Sequence, residues 1–190
     1  MEEADIAKAA EGDLKAFKRI FDYYLPRMRP VCLRYTHTSI EADDILQEAF
    51  VKVYNNIRNF KFEGSFEGWI RRIVVNTSLD HYKKNAGYYG HLNIDQLNES
   101  ETESEEIDLI SDTQPSELVR LVNKLPDGYR MVFNLYVFED YSHREIAELL
   151  GISEGTSRSQ YSKAKNSLKK LIAGQRKDSK STLANRFDSK

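Results

Sequence analysis

Between Lys84 and Arg120 the chain carries no cation, and "NESETESEEIDLISD", residues 98–112, crowds its carboxylates together. A segment with so much like charge and so few apolar side chains buries too little surface to offset the entropy of ordering its backbone. Such a stretch divides the fold around it. The expected architecture is two small bodies on an acidic tether, and 190 residues suffice for that. Ile107, Leu109 and Ile110 are the tether's apolar exceptions and make a short segment suited to docking. The formal net charge of −2 conceals strong segregation, because residues 158–190 hold ten Lys/Arg against two Asp. A nucleic-acid-binding second half is therefore compatible with an acidic total.

On both sides of the tether the apolar period is helical, and no alternating strand pattern of useful length interrupts it. After Asp13, a predicted N-cap, Phe17, Ile20, Phe21 and Tyr24 follow at i, i+3, i+4, i+7. Pro26 and Pro30 are expected to break the chain, with a second helix running to about Tyr35. "SIEADDILQEAFVKVYNNI" places Ile45, Leu46, Ala49, Phe50, Val53 and Ile57 on one face and Asp43, Asp44, Gln47 and Glu48 on the other. The loop "NFKFEGS" precedes a helix from about Phe66 to Lys84, with Trp69, Ile70, Ile73, Val74 and Thr77 inward. Beyond the tether, Pro115 opens a short helix that Pro126-Asp127-Gly128 ends, and "YRMVFNLYVFE" forms the next. The predicted fold class is all-α, in two small helical domains.

"YSHREIAELLGISEGTSRSQYSKAK", residues 141–165, carries the most local information. Ser142 with Glu145 is a capping box, so a helix starts at His143. Gly151 stands where a helix stops in a left-handed residue. Ile152 plugs the angle and Ser153 caps a second helix, which carries Arg158, Gln160, Lys163 and Lys165 outward and Tyr161, Ala164 and Leu168 inward. Two helices joined by three residues, with small Ala147 at the crossing and a polar-basic second helix, are the helix-turn-helix design. Early residues of such a second helix face base edges and later lysines approach phosphate. A helical hairpin whose lysines merely solvate a surface has the same spacing.

The lone cysteine, Cys32 in "PVCLRY", excludes an intramolecular disulfide and reads as a buried apolar residue in a reducing, cytoplasmic setting. No apolar run approaches a membrane span, and acidic "MEEADIAKAAEGD" is unlike a signal peptide, so membrane insertion is not expected. His37, His81, His91 and His143 lack ligand spacing, and no Gly-rich phosphate loop or nucleophile–base pair is evident. The chain is therefore not expected to be an enzyme or to need a cofactor or metal. His143, beside a cap, reads as a solvated residue.

Taken together, "EADDILQEAFVKVYNNIRNF", "FEGSFEGWIRRIVVNTSLDHYKK" and "LPDGYRMVFNLYVFEDYSHREIAELLGISEGTSRSQYSKAKNSLKKL" resemble the two domains of an extracytoplasmic-function sigma factor. The resemblance covers about residues 10–172. It implies a region 2 domain over 1–86, an acidic flexible linker over 87–114, a region 4 helix-turn-helix domain over 115–173 and a basic disordered tail over 174–190. The implied partners are core RNA polymerase, through its beta-prime clamp and beta flap, promoter DNA, and an anti-sigma factor that clamps the two domains together. Asp43, Asp44, Gln47, Glu48, Phe50 and Tyr54 would then meet the clamp's coiled coil. A solvated helix face explains the same charges without it.

Melting and reading the minus-ten element would fall to Phe60, Lys61, Phe62, Ser65, Phe66, Arg71, Arg72, Asn76, Lys83 and Lys84. Aromatic faces beside a cationic track are what unstacked bases require, with Asn76 and Arg72 nearest the captured base and Trp69 in the core. The minus-thirty-five element would be read by Ser153, Glu154, Thr156, Ser157, Arg158, Gln160, Lys163 and Lys165. Two residues depart from the family pattern. Ser157 replaces a common aliphatic residue, which weakens seating of the recognition helix, and Gln160 replaces a common arginine, which shifts preference from guanine towards adenine. The linker fits both a nucleic-acid mimic in a basic polymerase channel and a solubilising spacer. The composition and "EGTSRSQ" resemble Bacteroidetes members of the family. The rival from another class is a single-site transcriptional regulator whose first domain binds an effector or partner; "FEGSFEGWIRRIVVNT" argues against it, since an effector domain has no need of that aromatic-basic combination.

Overall fold

The computed structural model describes residues 3–89 and 113–187, and among these it contains helices and no strand. The chain separates into two compact units, divided between Tyr88 and Tyr89 at the last residue of the helix that closes the first. The acidic stretch, with Ile107, Leu109 and Ile110, lies outside the described residues.

In the first unit, α1 (Glu3–Ala10), α2 (Leu14–Leu33), α3 (Ser39–Asn56), a 3-10 turn (Ile57–Asn59) and α4 (Phe66–Tyr89) follow one another. Asp13 caps α2 as expected, accepting from the backbone N–H groups of Lys15 at 2.8 Å and Ala16 at 3.1 Å. Thr38 caps α3 through the N–H of Glu41. Buried Ile20, Tyr24, Met28, Ile45, Leu46, Val53, Ile70, Val74 and Leu79 fill the core, each such side chain adding about 1.5–3 kcal/mol on burial. Outside it, Arg19 donates to Asp5 and Arg58 Nε to the Ala10 carbonyl, tying α1 to its neighbours.

Pro26 and Pro30 do not end α2, which runs through both as one helix to Leu33. The two rings share the exposed side of the helix, where the carbonyls they deprive of a partner reach water. The opposite side buries Tyr24, Met28, Val31 and Cys32, and this continuous apolar stripe outweighs two missing hydrogen bonds. Cys32 is buried, as expected, and burial pushes its thiol up to about 12.

The second unit comprises α5 (Pro115–Val122), α6 (Asp127–Val137), α7 (His143–Leu150) and α8 (Glu154–Phe187). Its core gathers Leu121, Val122, Leu125, Phe133, Ala164, Leu168 and Ile172. Pro126 is the N-cap of α6, so Pro126-Asp127-Gly128 opens a helix as well as closing one. Arg130, buried in α6, donates to Asp127 at 2.8 Å. The Ser142–Glu145 capping box is complete, and Gly151 closes α7 at φ 69° and ψ 35°. Ser153 accepts from the N–H of Thr156 and starts α8. The basic segment after residue 173, expected to be a disordered tail, instead continues α8 to Phe187. Gly174 opposes continuation, and the Ala, Gln, Arg and Lys around it favour it.

Candidate nucleic-acid and polymerase interfaces

The loop before α4 brings Phe60, Lys61, Phe62 and Phe66 together with Trp69. Ring centroids lie 5.1 Å apart for Phe60–Phe62, 4.9 Å for Phe60–Phe66, 5.6 Å for Phe60–Trp69 and 5.5 Å for Phe66–Trp69. The members differ in depth. Phe66 is buried and packs edge-on against Tyr24 of α2, so it supports the cluster from below and offers no face to a base. Trp69, expected in the core, and Phe60 are half-buried. Phe62 is the outermost ring, 49% exposed, and its φ of 59° holds it in the left-handed region that costs a bulky residue about 1–2 kcal/mol. Gly64, at φ 104°, gives the loop its return.

Ser65 spends its side chain as a helix cap, accepting from the N–H of Gly68 at 3.3 Å. Along α4, Arg72, Asn76, Lys83 and Lys84 are exposed and Arg71 is half-buried. The residues at 72, 76 and 83 recur at helical spacing, which puts a guanidinium, an amide and an ammonium in one row below the aromatic loop.

The acidic face of α3 divides in two. Asp43 is held by a forked hydrogen bond from Arg29 of α2, at 2.7 and 3.1 Å, which keeps its carboxyl below the ordinary range. Glu48 lies 2.7 Å from His81 Nε2 of α4 and 3.0 Å from Lys52 Nζ, and the His81 contact first, then Lys52, brings its carboxyl down to about 2. Both carboxylates tie helices together. Phe50 is a correction: at 2% exposure, edge-on to Phe21, it belongs to the core and leaves nothing for a partner. Asp44 and Gln47 are exposed, and Tyr54 is partly so, with its edge on Phe17. Exposed Ile40 and Val51, which sequence reasoning missed, flank Asp44 and Gln47 at helical spacing. Positions 40, 44, 47 and 51 were the signal, an apolar pair bracketing a polar pair on one stripe.

In the helix-turn-helix, Ser153, Glu154, Thr156 and Arg158 are exposed on the first turn of α8, and Lys163 and Lys165 are half-buried further along. The Ser153 and Thr156 hydroxyls lie 2.8 Å apart, and Arg158 reaches Glu154 at 2.6 Å. Lys165 Nζ sits 5.2 Å from the Tyr161 ring centroid. Gln160 is turned towards its own unit: a β-carbon added at Gly128 would lie 3.2 Å from Gln160 Oε1 and 3.3 Å from Nε2.

Ser157 is wholly buried and so cannot touch a base, contrary to the expectation from its place in the helix. Its hydroxyl lies 2.9 Å from His143 Nδ1. His143 is likewise not a solvated residue. Its ring stacks on Tyr136 of α6 at 4.6 Å and 14°, with Tyr161 at 5.7 Å, and burial lowers its pKa, aided by the nearby Arg158 charge. The polar Ser157 is accommodated because histidine supplies its hydrogen bond. Fourteen residues separate the pair, so no local pattern could announce it.

Residues 20–87 match the Sigma-70 region 2 family and residues 116–168 match Sigma-70, region 4. The ECF RNA polymerase sigma factor SigW of Bacillus subtilis is 30% identical over 177 residues, covering 88% of this chain and 94% of that protein. The ECF RNA polymerase sigma-E factor of Escherichia coli K12 is 26% identical, covering 86% and 90%. Among solved structures, the sigma factor RpoE of Bartonella quintana, co-crystallised with the anti-sigma factor NepR, shares the fold with a TM-score of 0.50 at 19% identity. That match covers 84% of this chain and 98% of that one. Two sigma regions in their proper order, and a relative matched along nearly its whole length, decide the family: the chain belongs to the extracytoplasmic-function sigma factors, which direct bacterial RNA polymerase to promoters for transcription initiation.

Proposed function

We propose that the two units divide promoter recognition between them, with 1–86 opening and reading the minus-ten element and 115–173 reading the minus-thirty-five duplex. The observation that carries this is exposed Phe62, in its left-handed turn beside exposed Lys61, at the head of the α4 row of Arg72, Asn76, Lys83 and Lys84. An unstacked base finds a free aromatic face at Phe62, and the strand's phosphates find a cationic track along α4. A regulator with a single duplex site has no use for either. In the second unit, Glu154, Thr156 and Arg158 take the base-edge positions and Lys163 and Lys165 the phosphate positions. Gln160 favours adenine once its amide leaves Gly128. Residues 87–114 serve as the linker between the two readers.

Docking on polymerase uses the α3 stripe of Ile40, Asp44, Gln47 and Val51, with Tyr54 at its end, against a basic and apolar partner helix in the beta-prime clamp. The second unit meets the beta flap. The chain makes and breaks no covalent bond itself; that chemistry belongs to the polymerase, in the cytoplasm. An anti-sigma factor that covers both units would silence all of these surfaces at once, which their exposure on two small bodies permits.

Run-off transcription tests the reading. The purified chain with sigma-free core polymerase is expected to give transcripts from defined sites in host genomic fragments, and Asp44→Lys to abolish them while leaving the chain folded. If the wild-type chain neither binds polymerase nor starts transcription, yet retains duplex DNA alone, the regulator reading replaces this one.

A further inference from the structure

In the second unit, His143 joins three helices at one point. It is the first residue of α7, its ring lies on Tyr136 of α6, and its Nδ1 is bonded to Ser157 on the first turn of α8. Ser157 sits between Thr156 and Arg158, two of the exposed residues assigned above to base edges. Burial of α8's Ala164, Leu168 and Ile172 among Leu121, Val122 and Phe133 does not by itself fix the roll of the helix, because the apolar driving force is non-directional. A hydrogen bond to a buried hydroxyl is directional, and leaving that hydroxyl without its partner is costly. The aromatic stack removes the remaining freedom of the imidazole. We propose that the His143–Ser157 bond is a positioning device that sets the roll of α8, and thereby the aim of Glu154, Thr156 and Arg158 at the minus-thirty-five bases.

The proposal rests on the assignment of α8 to that element. His143 touches no base in it, and acts through Ser157. The device also has a titration signature. The half-buried ring contacts Tyr136 from α6 and Tyr161 and Ser157 from α8, feels the charges of Arg158 and Glu154 on α8, and has Arg144 and Glu145 next on its own helix. Burial and Arg158 disfavour the imidazolium, and Glu154 opposes them weakly. The unfolded chain therefore binds the proton more readily than the folded one. The clamp is intact above the ordinary histidine value of 6.5 and weakens as pH falls below it.

The test uses holoenzyme assembled from the full chain and core polymerase, on promoter duplexes randomised across the minus-thirty-five element. His143→Ala and Ser157→Ala are each expected to flatten base preference under the first turn of α8 roughly tenfold, with the double variant no worse than either single. The slope of binding against salt stays unchanged, because no phosphate contact is lost. His143→Phe keeps the stack and stays folded even where alanine does not. It is expected to abolish the fall in preference that the wild type should show as pH drops below the ordinary histidine value of 6.5. Unaltered preferences in both alanine variants overturn the proposal. So does a salt slope reduced by about one phosphate with preferences retained, which makes His143 a direct phosphate ligand. A pH response that survives in His143→Phe overturns it as well. If wild-type holoenzyme shows no preference anywhere in the element, the assignment of α8 itself fails, a pattern distinct from the other three.

Discussion

Replacing Gly151 isolates a backbone term from every packing term. Its φ of 69° and ψ of 35° lie in the left-handed region, and a β-carbon added there would have nothing within 4 Å. Gly151→Ala therefore creates no clash and removes no contact. Its cost is the conformational penalty of about 1–2 kcal/mol for an L-residue at positive φ, less the few tenths regained because alanine stiffens the unfolded chain. The net expectation is a loss of about 1 kcal/mol. Gly151→Asn should lose about half as much, since asparagine visits this region more readily. The two units make the measurement clean. The only tryptophan, Trp69, lies in the first unit, so its fluorescence follows that unit alone, whereas far-ultraviolet circular dichroism follows both. With a urea slope of about 1 kcal/mol per molar for a domain of this size, the second unit's midpoint moves down by about 1 M in Gly151→Ala. The tryptophan transition stays where it was. An alanine variant as stable as wild type, or less stable than asparagine by nothing measurable, would refute the assignment of the turn to left-handed strain.

Further outcomes are expected elsewhere. Glu48 is held at about 2 by His81 and Lys52, so its ion pairs add stability above the ordinary carboxylate value of 4.5 and lose it as pH falls from there towards 2. Glu48→Gln should flatten the acid limb of the Trp69 unfolding curve; with the side chain 38% exposed, screening holds the effect to about 1 kcal/mol. Phe62→Ala should leave both urea transitions in place and weaken capture of a fluorescent single strand carrying the minus-ten element by roughly tenfold, as expected for a lost stacking face. Leu168→Ala, at the centre of the second core, should cost that unit about 3 kcal/mol in the dichroism transition alone. Cys32, buried with its thiol raised to about 12, should react with a thiol reagent at neutral pH only as fast as the first unit opens, and Phe50→Ala should accelerate it.

The features legible in the sequence are those written within one helical turn. Asp13, the Ser142–Glu145 box, Ser153 and Gly151 each act on a backbone group two to four residues away, so spacing alone discloses them. The two-unit division was equally legible, because segregated charge acts through composition. Depth was not. Phe50 and Phe66 carry the same apolar signature as Phe62, and only the packing of α2 against α3 and α4 decides that two are core and one is surface. Pro26 and Pro30 do not break their helix for a related reason: a local rule yields where a long buried stripe opposes it. The partners of charged and polar groups lay furthest from reach. Asp43 meets Arg29 across fourteen residues, Glu48 meets His81 across thirty-three, and Ser157 meets His143 across fourteen. Chain proximity specifies helices and their caps, whereas hydrogen bonds between helices depend on the roll and crossing of whole elements. Which of the helix-turn-helix side chains face outward to solvent, and which face inward to hold the second helix, was therefore decided by tertiary structure alone.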